Sequence, residues 1–155
     1  MEERNIIRNA VESTLDGLKY HYLKLGRVFR FKLKEENVIY RYVIVADDEH
    51  EYLVVVGAFP VHVPKPSFDM MCTYINELNR MDIPGRFVIN PDDGELTFRI
   101  ISSVHGCTFN ENHILYCLDM VSLALSRQYE GIMKALYGGS QMVFTFGGKE
   151  KPEEQ

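Results

Sequence analysis

Three cysteines, Cys72, Cys107 and Cys117, are all that this 155-residue chain contains. An odd and sparse set excludes a disulfide scaffold. No apolar run approaches the ~20 residues that a membrane-spanning helix needs, and the longest, Tyr52 to Val61, has the length of a buried strand. No apolar leader follows the opening Met-Glu-Glu-Arg, so a reduced, cytoplasmic protein is expected, with no membrane as partner. Excess positive charge is also missing. Seventeen Lys and Arg stand against 22 Asp and Glu, a net charge of -5, which argues against nucleic acid as the main partner because a polyphosphate demands clustered cations.

Catalytic signatures are absent as well. There is no Gly-x-Ser-x-Gly elbow, no phosphate-cradling glycine loop and no Gly-x-Gly-x-x-Gly. No cofactor is expected. Two groups of residues merit a metal test. His105, Cys107, His113 and Cys117 are soft or borderline ligands close in sequence, but they lack the paired spacings of structural zinc sites. Cys107 beside His105 and His113 also raises a thiolate pair as an alternative. Asp47, Asp48, Glu49 and Glu51 around His50 could offer oxygen ligands to a hard cation, yet acidic residues equally favour a turn.

What is present is a folded chain's composition, 46% apolar, 12% aromatic and 25% charged. Ile7, Val11, Leu15 and Leu18 fall on one helical stripe. Beyond Gly26 the period changes to two: Phe29, Phe31 and Leu33 alternate with Val28, Arg30 and Lys32, then Tyr40, Tyr42 and Ile44 alternate with Ile39, Arg41 and Val43. The basic tract Arg27 to Lys34 therefore lines one sheet face with charge, read first as a solvated surface and second as a binding stripe. Tyr52 to Val61 is apolar at every other position and between, which predicts a central strand covered on both faces.

Ser67 is placed to cap a helix carrying Phe68, Met71, Cys72, Ile75 and Leu78, closed by Asp82-Ile-Pro-Gly85. Arg86 to Asn90 and Glu95 to Ser103 read as two strands joined by Pro91-Asp-Asp-Gly94, whose glycine supplies a positive φ. Asn110 to Tyr137 reads as a long helix. The predicted order is α-β-β-β-α-β-β-α, an α+β domain with helices packed on a mainly antiparallel sheet. One domain spans residues 1–139, and residues 140–155 form a C-terminal tail whose glycine pairs allow partial disorder.

The long helix has two apolar stripes. Ile114, Leu118, Val121, Leu125, Ile132 and Leu136 face the sheet, while Tyr116, Met120 and Leu123 lie nearly opposite. The second stripe is either covered by the chain itself or is a candidate interface, a use that suits Met and Tyr.

Four segments carry a family resemblance: Phe59-Pro-Val-His-Val-Pro64, Tyr74-Ile-Asn-Glu-Leu-Asn79, Gly85-Arg-Phe-Val-Ile-Asn90 with Asp93-Gly94-Glu-Leu96, and Leu123-Ala-Leu-Ser-Arg-Gln-Tyr129 followed by Ile132 to Gly139. Together they resemble the YbjN-like family of bacterial sensory transduction regulators. The resemblance implies a type III secretion chaperone-like fold, often dimeric, with no established catalytic residues. It implies a protein or peptide partner, and Asn76, Asn79 and Gly85 match its most recognisable positions. Each has a structural explanation, helix-end capping for the asparagines and backbone reversal for the glycine. The expected function is a non-enzymatic, chaperone-like or regulatory protein-binding module, acting as a homodimer. A small metal-binding protein or enzyme using His105, Cys107, His113 and Cys117 is the alternative.

Overall fold

The computed structural model describes residues 5–138. Helix α1 (Ile6–Gly17) is followed by strands β1 (Tyr22–Leu25), β2 (Val28–Glu35), β3 (Val38–Asp47) and β4 (Tyr52–His62). Helix α2 (Phe68–Asn79), strands β5 (Arg86–Ile89) and β6 (Glu95–Ser103) and helix α3 (Glu111–Tyr137) complete the order. The strands form one six-stranded antiparallel sheet, β1-β2-β3-β4-β6-β5. The α+β class is as expected, with one strand more than predicted.

That extra strand is β1. It pairs with β2 from Tyr22 opposite Phe31 to Leu25 opposite Val28, held by backbone bonds rather than by burial, since Leu23 and Leu25 are exposed. Between β2 and β3 the turn is Glu36-Asn37, with Glu36 at a φ of 54°. The period-two pattern puts Phe29, Phe31, Tyr40, Tyr42 and Ile44 on one face, all buried.

Helix α3 lies across that inner face. Ile114, Leu118, Val121, Leu125 and Ile132 are buried on the sheet side as the first stripe predicts, with Leu136 half-buried. Gly57 makes the close approach possible at the centre of β4: a Cβ there would stand 2.5 Å from Leu125 Cδ1 and 2.7 Å from Val121 Cγ1. Asn110 begins the helix with its side-chain oxygen accepting from the Asn112 amide at 2.9 Å. Ser67 holds the equivalent place before α2, but its side chain makes no capping bond.

Strand β4 is central in the sheet as expected, and the described elements cover one of its faces. Val54, Val56 and Ala58 point away from α3, and no described element lies over them. Val54 and Ala58 are nonetheless 7% and 6% exposed while standing outside the hydrophobic core cluster.

Two acidic or amide residues act across long sequence separations. Asp48, in the turn after β3, accepts from the backbone amides of Ile7 and Arg8 at 2.7 and 3.2 Å. It thereby satisfies the free N–H groups at the start of α1, whose own Asn5 forms no side-chain cap. Asn79 does not cap α2. Its amide donates to the Phe87 carbonyl at 2.9 Å and its oxygen accepts from the Phe87 N–H at 2.7 Å, clamping the helix end to β5. Gly85 likewise serves contact rather than chain reversal, since a Cβ would meet the Phe98 ring at 2.5 Å and the Arg99 carbonyl at 2.6 Å.

Candidate functional site

An apolar cleft opens between α3 and the segment joining α2 to β5. Phe87 and Phe98 form its floor, their rings edge to face with centroids 4.8 Å apart. Met120, Leu123 and Ala124 of α3 make one wall, Met81 and Ile83 the other, and Arg127 and Gln128 stand at the mouth. Its volume is about 110 Å³, room for an apolar side chain or a few waters. The stripe opposite the sheet thus divides. Met120 and Leu123 line the cleft, the first half-buried and the second 37% exposed, while Tyr116, one turn earlier, is 54% exposed and outside it.

A larger bay near the start of α1 is polar, lined by Asn5, Arg8, Arg27, Asp47, Asp48 and Glu49. Its carboxylates are already engaged. Asp48 caps α1, and Asp47, 2% exposed at its side chain, pairs with Arg27 at 2.9 Å and with the His50 ring at 3.1 Å. The His50 backbone amide donates to Asp47 and, helped by the His50 ring, holds its carboxyl down to about 2 against the opposing effect of burial. The acidic turn is therefore a structural lock.

This has a pH consequence. The native Asp47 stays charged down to pH of about 2, whereas in the unfolded chain an aspartate takes up its proton near ~3.9. Its contribution is complete above the unfolded value and is lost as pH falls between the two. The thermal midpoint is expected to drop through that window, and an Asp47→Asn variant to show a shallower drop there. Equal slopes in a calorimetric series would remove Asp47 from the acid response.

The four soft ligands do not converge. His105 is exposed and bonds Glu51, which raises its pKa. Cys107 is exposed, its thiol donating to the His105 carbonyl at 3.6 Å. His113 is half-buried, with Nε2 2.8 Å from Ser102 Oγ and its ring edge-on to Phe109. Cys117 is buried in the core, which pushes its thiol up to about 11 and makes it a poor nucleophile. Among the described residues no group of three or more His, Cys, Asp or Glu side chains is placed to hold a metal. Nor is any described helix long and apolar enough to cross a membrane.

The family profile described as "YbjN: Putative bacterial sensory transduction regulator" matches residues 8–132. The chain belongs to the YbjN family. Solved structures share its fold at low identity. The HopA1–SchA chaperone–effector complex contains a chain with a TM-score of 0.57 and 9% identity, covering 84% of this chain and 98% of that one. YbjN from E. coli gives 0.58 and 10%, covering 79% and 91%. The ExsC–ExsE complex gives 0.54 and 12%, covering 80% and 90%. No curated protein matches the chain in sequence. The fold is therefore type III secretion chaperone-like, as the resemblance implied.

On this YbjN-family fold, the sequence stripe found Met120 and Leu123 but missed Met81 and Ile83. Those two sit in a connecting segment, where no helical or strand period marks them. The Pro84-Gly85 break next to them was the available signal. The expectations for the tail, residues 140–155, including the apolar Met142 to Phe146, fall outside the described residues.

Proposed function

We propose that this YbjN-family chain is a non-enzymatic, cytoplasmic protein-binding module, chaperone-like or regulatory in role, that works as a homodimer through the outer stripe of α3. The observation that carries the reading is the apolar cleft itself. Met120 and Leu123 would be a liability on an isolated helix surface, yet here they wall a recess floored by Phe87 and Phe98 and rimmed by the exposed Met81. Tyr116 extends the same apolar line along the helix, and Met and Tyr are residues enriched where protein surfaces meet. Two of the structural neighbours are chaperone–effector or comparable two-protein complexes, which supports a protein partner.

Light scattering on the purified chain is the test. The wild type is expected at twice the 18.0 kDa of one chain, and Met120→Glu with Leu123→Glu at the mass of one. Circular dichroism would show that the variant is folded. A wild-type monomer would end the homodimer reading, and a variant that stays dimeric would remove this face of α3 from the interface.

A further inference from the structure

The face of the sheet that no described element covers is organised in rows that cross the strands. Strand register sets Leu25, Val28, Val45, Val54 and Ile101 side by side across β1, β2, β3, β4 and β6. Beside it runs a second row, Arg30, Val43, Val56, Arg99 and Arg86. Five strands at ~4.8 Å spacing make the apolar row about 19 Å long. Its ends are open, Leu25 being 50% and Ile101 60% exposed, while Val54, next to Ile101 in the row, is only 7% exposed.

Charge on this face runs against the chain as a whole. The protein carries -5, yet Arg30, Lys32, Lys34, Arg86 and Arg99 all project here and none forms an ion pair among the described residues. The Glu95 carboxylate is already held by Arg41 at 2.8 Å. Arg86 stands directly opposite Arg99 in the register, a like-charge pair that weakens a sheet. Arg99 Nε is in addition buried without a hydrogen-bond partner. An incoming carboxylate would offset the first of these directly, through the exposed Arg86.

We propose that this face receives an acidic amphipathic helix of a partner protein, its apolar stripe seated on the Leu25 to Ile101 row and its carboxylates reaching Arg30 at one end and Arg99 with Arg86 at the other. The inference rests on the protein-binding reading above but uses a different surface. A sheet with an apolar face that no described element covers is completed by a layer of helix, as α3 completes the other. A 19 Å row matches about thirteen residues of helix at ~1.5 Å each. Single-stranded nucleic acid fits less well, because stacking needs several aromatic platforms and, among the described strands, register places only the Tyr52 ring and the His62 imidazole on this face. A bilayer fits less well too, since the valines lie sunk between long cationic side chains that a helix stripe can pass.

The test is fluorescence anisotropy of the full chain with a labelled Leu/Glu peptide whose leucines fall at helical i, i+3, i+4 and i+7 spacing. A shuffled peptide of the same composition is the control. Binding is expected to weaken at least about tenfold in Arg30→Glu and in Ile101→Glu, both exposed positions, and with added salt. It is expected to be unaffected by Met120→Glu with Leu123→Glu. A wild-type chain that is monomeric yet binds the peptide would overturn the α3 interface and support this face, whereas a wild-type dimer without peptide binding would overturn this face alone. The proposal also fails if the shuffled peptide binds equally well. It fails if a single-stranded oligonucleotide or phosphatidylcholine–phosphatidylserine vesicles bind more tightly. It fails again if Phe144→Ser with Phe146→Ser raises the peptide's affinity, which would make the chain's own C-terminal segment the occupant.

Discussion

Phe59→Ala is expected to lower the unfolding free energy by about 3–5 kcal/mol, the range for truncating a fully buried phenylalanine. Phe59 is 0% exposed and sits in the middle of a run of rings. Tyr129 meets Tyr40 edge to face at 6.3 Å, Tyr40 meets Phe59 at 6.1 Å, and Phe59 stacks on Phe87 at 6.3 Å. Phe87 then meets Phe98 at the floor of the α3 cleft. Removing the central ring leaves a void that touches β3, β4, β5 and, through Tyr40, the far half of α3. Against a total of ~5–15 kcal/mol for a domain, the loss is large. Urea titration reads it as a lower midpoint with an unchanged slope. A loss below about 1 kcal/mol would mean that the neighbouring rings close the gap.

Gly94→Ala is expected to cost about 3 kcal/mol, by a different route. Gly94 has a φ of +78°, and the left-handed region alone costs a residue with a Cβ about 1–2 kcal/mol. The Cβ would also lie 2.2 Å from the Val63 carbonyl oxygen, a backbone atom with no rotamer to escape into. Relief requires β4 and β6 to part at the point where the Val63 amide donates to the Gly94 carbonyl at 2.7 Å, a bond worth ~1 kcal/mol. Thermal unfolding followed by circular dichroism measures the sum. A midpoint within about 2 °C of wild type would show that the turn rearranges freely.

Both effects were partly legible beforehand. Gly94 follows Asp-Asp in a tight hairpin, a setting that itself demands positive φ, so the turn was readable from local chemistry. The carbonyl above it was not, because Val63 arrives from a bulged stretch of β4 far away in sequence. The same division runs through the molecule. Alternation in β2 and β3 named the buried ring side chains, and Asn110 named the start of α3, since each depends on a residue and its near neighbours. β1 left no trace, being four residues long with leucines that face solvent and a strand identity that comes only from pairing with β2. Asp48 and Asn79 were read as a turn residue and a helix end. Their actual bonds, to Ile7 and Phe87, join elements whose meeting no periodicity describes.

For the candidate surfaces the reading was half complete. The outer stripe of α3 gave one wall of the cleft, but the partner wall of Met81 and Ile83 became visible only when α2 and β5 were set beside it. The cations of β2 were seen to share a face, while the match of Arg30 with Arg99 and Arg86 needed the order in which six strands lie.

The clamp of Asn79 on Phe87 bears on how the sheet ends. In an antiparallel ladder a residue turns both its N–H and its C=O to the same side, and those of Phe87 face away from β6. The amide therefore occupies the outer margin of β5 as a one-residue imitation strand, closing it against a neighbouring molecule that would otherwise extend the ladder. At the opposite margin β1 carries no such guard among the described residues. Among the described residues, edge-to-edge growth of this sheet, whether into aggregates or exchanged hairpins, thus finds its open margin at β1, four residues centred on Leu23 and Lys24.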